Sequence, residues 1–157
     1  MLQNILNANN LINSSWQPVF IAVLSTLALT VFSMVLSTKK RNFVEPSHLA
    51  KIFNYHLKDS PSWLNIILGV ILHFIVGYLF TLIHLYYYQL LKPIWYNGLF
   101  LGLANGLLGA LVWYVVIKIY NDVLTVDVKL YLLQLVIAHI IFGLVILYMY
   151  KPIILSV

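Results

Sequence analysis

The stretch Val70-Ile71-Leu72-His73-Phe74-Ile75-Val76-Gly77-Tyr78-Leu79-Phe80-Thr81 recurs as Val136-Ile137-Ala138-His139-Ile140-Ile141-Phe142-Gly143-Leu144-Val145-Ile146-Leu147. The two copies begin 66 residues apart and share five identical positions. Each carries a histidine and, four residues on, a glycine, inside a long apolar run. Residues four apart lie on one helix face, so each copy presents a titratable ring beside a bare patch of backbone.

The apolar character extends well beyond the repeat. Residues 18–37, 63–85, 98–117 and 130–150 hold no Asp, Glu, Lys or Arg. At 1.5 Å per residue, twenty residues cover roughly 30 Å, one hydrocarbon thickness. The predicted fold is therefore all-α, a four-span transmembrane helical bundle forming a single domain over residues 1–157. The composition demands the same class. With 62% hydrophobic residues, 8% charged residues and a mean hydropathy of +0.95, 157 residues cannot cover a water-soluble surface.

Nine Lys+Arg against four Asp+Glu give a net charge of +5. In a membrane protein this balance reports topology and lipid contact, and nucleic acid is not expected as a partner. The expected partners are the lipid bilayer and either a second copy or another membrane protein. There is no cysteine, hence no disulfide, thiolate metal site or cysteine nucleophile. Residues 1–15 are polar without a charged side chain and lack the pattern of a cleaved signal peptide. Asn13-Ser14-Ser15 matches a glycosylation acceptor, a short pattern of low specificity.

The loops set an orientation. Lys39, Lys40, Arg41, Lys51 and Lys58 lie between the first two spans, and Lys118 and Lys129 between the last two. Only Lys92 and Lys151 fall on the other side. Cations favour the cytoplasm, so both termini are expected on the non-cytoplasmic side of a cell (inner) membrane. The repeat is then parallel, with both histidines at like depth. Between the first two spans, Glu45-Pro46-Ser47 can open a short helix. Leu49, Ile52, Phe53, His56 and Leu57 would share its apolar face, with Lys51, Asn54 and Lys58 opposite. Such a helix is expected in the membrane interface, a packed loop being the alternative. The short connection around Pro93 makes the second and third spans antiparallel neighbours, and Pro152 should end the fourth.

Small residues mark the packing faces. Gly98, Gly102, Gly106 and Ala110 step by four along the third span, a seam suited to close backbone contact, here expected against another span of the same chain. Gly69, Gly77 and Gly143 are further packing positions. Ala22, Thr26, Thr30, Ser33 and Ser37 form a weakly polar stripe on the first span.

Each span also offers one polar group near its middle. His73 lies ten residues past Trp63, roughly 15 Å deep, and His139 nine past Leu130, roughly 13 Å. Asn105 and Thr26 lie roughly 11–12 Å from the other side. Polar groups at that depth turn inward, so Thr26, His73, Asn105 and His139 are expected to form one midplane layer. Three functions fit such a layer. The expected one is structural: the groups satisfy each other, and the chain is a non-enzymatic structural or accessory component without a cofactor. The alternative is a haem b electron carrier with His73 and His139 as axial ligands. The third is a path for a small solute or protons. A zinc site is not expected, since no carboxylate lies within a span. No GxSxG, P-loop, GxGxxG or HExxH pattern occurs, so no catalytic residues are assigned.

Overall fold

The computed structural model describes residues 16–38, 42–91 and 93–155, with residues 151–155 described by their backbone alone. Residues 1–15 with the Asn13-Ser14-Ser15 pattern, the cations at 39–41, and Lys92 lie outside the described residues. Five helices follow one another: α1 (Gln17–Leu36), α2 (Glu45–His56), α3 (Ser62–Leu90), α4 (Trp95–Ile119) and α5 (Val128–Leu155). α1, α3, α4 and the Val128–Tyr150 part of α5 are long and apolar enough to cross a membrane. The chain is a multi-pass membrane protein with a helical bundle fold.

The spans outrun their expected limits. α3 continues through Tyr86-Tyr87-Tyr88 to Leu90, and α4 begins at Trp95. Aromatic belts mark the interface but do not stop a helix. α5 continues three residues past Pro152. A proline removes one backbone donor, a smaller loss in the last turn than in a helix interior.

α1 lies between α3 and α5, and α5 packs along α4. The glycine seam makes that last contact. A Cβ on Gly102 would sit 2.6 Å from the His139 carbonyl oxygen, and one on Gly143 would sit 2.5 Å from that of Gly98. A Cβ on Gly106 would lie 2.9 Å from the Val136 Cα, and Gly98 lies under the Leu147 side chain. On the opposite flank Gly77 lies against the Thr26 hydroxyl of α1. The stripe on α1 faces inward, with Ala22, Thr26 and Ser33 buried and Thr30 and Ser37 half-buried. Thr30, Ser33 and Ser37 donate back to the carbonyls of Thr26, Leu29 and Ser33 at 2.8, 3.1 and 2.7 Å.

Two expectations are corrected here. α3 and α4 make little contact despite their short connection. The loop fixes only their joined ends, while α3 is drawn to α1 and α4 to α5. α2, in turn, does not bury its apolar face. Leu49, Ile52 and Phe53 are half-buried and His56 and Leu57 exposed, whereas Glu45, Pro46, His48 and Ala50 are buried. Gly69 explains the difference, since a Cβ there would lie 2.6 Å from the Pro46 carbonyl oxygen and 3.0 Å from the Ala50 nitrogen. The helix backbone therefore docks on α3 through its small residues. Asn54 is exposed, as expected, and also accepts from the Asn65 amide at 2.6 Å. At its other end α2 reaches the end of α4, where His56 Nε2 lies 2.9 Å from the Tyr120 hydroxyl.

Candidate functional site: a cleft between α3 and α4

Where α3 and α4 part, they leave a cavity of about 470 Å³. Its side walls are Leu72, Val76 and Phe80 of α3 and Leu108, Val112 and Trp113 of α4. Thr26 and Leu29 of α1 and Leu135 and His139 of α5 form its back, and Glu45 and Leu49 of α2 close one end. Leu108 and Val112 are more than half exposed, at 51% and 53%, so the cleft opens sideways to the bilayer. Its other end is filled by an apolar core that includes Leu85, Tyr88, Leu101, Phe142 and Ile146.

The expected polar layer divides. Thr26, His73 and His139 all line the cleft, and Asn105 does not. His73 Nε2 lies 3.0 Å from the Thr30 hydroxyl of α1. Thr26 Oγ1 is buried and has no hydrogen-bond partner. His139 Nδ1 donates to the Leu135 carbonyl at 2.9 Å, a bond within its own helix, and Phe80 meets its ring edge-on at 5.8 Å. Asn105 lies instead beside His84, its side-chain nitrogen 3.3 Å from Nδ1. Nδ1 of His84 also donates to the Phe80 carbonyl at 2.9 Å. The amide orientation that turns the Asn105 oxygen to that N–H removes the donor–donor conflict.

The repeat does not give its two histidines like surroundings. His73 bonds across to α1, and His139 bonds to its own helix with its ring against Gly109 of α4. A haem between them would have to take Nε2 of His73 from Thr30. It would also need Nε2 of His139, which lies where a Cβ on Gly109 would be 3.5 Å away.

Sequence reasoning found no carboxylate near the histidines, and here the structure differs most. Glu45 lies outside the spans in sequence, yet it is 2% exposed and lines the same cleft as His73 and His139. Neither of its oxygens has a hydrogen-bond partner. Burial pushes its carboxyl up to about 8. Its own N–H and the Ser33 hydroxyl oppose that shift but do not meet hydrogen-bond geometry. One turn on, His48 Nε2 donates to the Asn42 carbonyl at 3.0 Å, leaving Nδ1 as a buried lone pair. Burial holds the His48 imidazole down at about 4, so it is neutral.

Behind Glu45, Ser33 accepts from the Gln134 amide at 2.6 Å. The Gln134 carbonyl oxygen and the Tyr131 hydroxyl, both on α5, are buried without partners. Tyr131 packs edge-on against His48 at 5.1 Å. Glu45 is the one glutamate in the chain. That, with Pro46 beside it at the start of α2, was the signal available. Among the described residues no group of three His, Cys, Asp or Glu side chains is placed to hold a metal. Comparison with models of known families, with curated proteins and with solved structures finds no match.

Proposed function

We propose that this chain is a non-enzymatic membrane component that holds a small, mostly apolar guest in the cleft between α3 and α4. The cleft carries the proposal. Its volume lies in the range of small-molecule sites, its walls are apolar, and its few polar groups stand at defined places, as ligand pockets require. The lateral opening suits a guest that arrives from the bilayer. A transport path draws support from the same cavity, but the packed core beyond His139 and Phe142 favours a blind site. Haem draws the least support, because Nε2 of His73 is bonded to Thr30 and the His139 ring packs against Gly109 of α4. The cation asymmetry supports an orientation with the 38–62 connection in the cytoplasm and both termini outside. Labelling of Asn9→Cys and Lys58→Cys variants from outside intact cells tests it, with position 58 expected to be silent.

Trp113 lines the cleft and serves as the reporter. In a protein with Trp16, Trp63 and Trp95 replaced by Phe, 1-bromoadamantane should quench Trp113 saturably. Filling the cleft with Val76→Phe and Leu108→Phe should weaken that quenching. A protein retaining only Trp16, which is 80% exposed, reports simple partitioning into the bilayer. Quenching of Trp113 that follows the Trp16 control, without saturation, would refute the binding site.

A further inference from the structure

We propose that the Glu45 end of the cleft binds the cationic head of a lipophilic ammonium-type amphiphile in exchange for the proton on Glu45. This rests on the cleft being a binding site and names the class of its guest. Glu45 is the only acid among the lining residues, and it stands at the end of a wall that is apolar and aromatic apart from Thr26, His73 and His139. An apolar body with one positive charge matches that distribution. Trp113 and Tyr120 also line the cleft, and aromatic faces attract cations.

The groups behind Glu45 point the same way. His48 Nδ1 and the Gln134 carbonyl oxygen can only accept, because their companion nitrogens already donate to Asn42 and Ser33. Together with the two carboxyl oxygens, these unpartnered acceptors behind the lining outnumber the one unpartnered hydroxyl facing Glu45, that of Tyr131, and this excess favours a positive guest. Of the titratable groups around it, His48 shares the helix of Glu45, and burial keeps it neutral. Lys51, also on α2, is half-exposed. Tyr131 faces from α5, and His73 and His139 line the deeper wall from α3 and α5.

The exchange balances. Glu45 as the acid releases one proton to water, and its carboxylate pairs with the entering cation, so the charge of the buried site is unchanged. Burial holds the carboxyl at about 8, so near neutral pH the unliganded acid carries the proton. Exchange avoids leaving either an uncompensated carboxylate or an unpaired cation in the bundle.

The test uses the whole protein in nanodiscs of zwitterionic lipid. The probe is tetraphenylphosphonium, which has no proton of its own to lose. At pH 7 in weak buffer, its binding should release about one proton per cation. Its affinity should rise about tenfold per pH unit up to about pH 8 and then level off. Glu45→Gln, which mimics the protonated acid, should bind the cation at least tenfold more weakly, without pH dependence, while still binding 1-bromoadamantane beside Trp113. Cation binding by the unmodified protein without proton release overturns the exchange, as does undiminished binding by Glu45→Gln. If the neutral probe binds and the cation does not, the cleft stands and the cationic guest is wrong. If neither binds to the unmodified protein, the cleft itself is not a site.

Discussion

His73 Nε2 lies 3.0 Å from the Thr30 hydroxyl, which itself lies 2.8 Å from the Thr26 carbonyl oxygen. A carbonyl only accepts, so the Thr30 proton points to Thr26 and its oxygen accepts from the His73 N–H. The tautomer of His73 is thereby fixed, and this side-chain bond ties α3 to α1. Interhelical bonds of this kind average about 0.6 kcal/mol in membranes. His73→Gln keeps a donor, so it should change stability by less than about 1 kcal/mol. The purified protein should also be colourless. A visible absorption band that shifts on reduction and is lost in His73→Gln would restore the haem alternative.

Glu45 and His48 give opposite pH dependences. The Glu45 carboxyl rises from 4.5 to about 8 on folding, so the folded state holds its proton over that range and the unfolded state does not. Its contribution to stability is complete below 4.5 and is lost as pH rises to about 8. His48 falls from 6.5 to about 4, so its contribution is complete above 6.5 and is lost as pH falls to about 4. Between pH 6.5 and 8 only Glu45 of the pair still acts. The melting temperature should fall across that interval, and Glu45→Gln should flatten the fall. An unchanged slope in the variant would mean that another group titrates there.

The seam of α4 predicts a steric effect of definite sign. At Gly102 a Cβ would lie 2.6 Å from the His139 carbonyl oxygen and 2.8 Å from the Ile140 Cα, both rigid backbone. Gly102→Leu should separate α4 from α5 at a cost of about 1–3 kcal/mol, the range for overpacked interiors. Gly109→Ala is the matched control on the same helix. Its Cβ would lie 3.4 Å from the His139 ring, ordinary contact, so its melting temperature should stay near that of the unmodified protein. Equal melting temperatures for both variants would show that the seam does not carry the α4–α5 contact.

These glycines also show how far the sequence could be read. A four-residue step of small side chains states that a helix face meets another backbone, because such contact has few other solutions in lipid. It does not name the partner. The same pattern brought α4 to α5, Gly77 to α1 and Gly69 to the backbone of α2. The spans were legible because a long uncharged apolar run has one physical meaning. The cleft was not, since it arises where α3 and α4 fail to pack, and a gap has no pattern of its own. Thr26, His73 and His139 were found by depth, which is local to each helix. Asn105 has comparable depth but faces His84, because the rotation of a helix about its axis is set by its neighbours. Glu45 was missed for a different reason. It lies in a connection outside the apolar spans, and the docking of α2 on Gly69 carries it into the bundle.

That docking yields the final prediction. The Gly69 position faces the Pro46 carbonyl oxygen and the Ala50 nitrogen, and neither can move without moving α2 as a unit. Gly69→Leu should therefore lift α2 while leaving the four spans intact, since α3 meets α1 elsewhere, at Gly77. Once lifted, α2 loses the buried environment of Glu45 and His48, and both groups should return towards their ordinary ranges. Backbone amides of residues 48–56 should exchange hydrogen faster than in the unmodified protein, with the amides of α5 unchanged. The loss of stability between pH 6.5 and 8 should disappear together with that protection. Faster exchange in α2 with the pH slope retained would separate the two effects, and would place the titrating group somewhere other than Glu45.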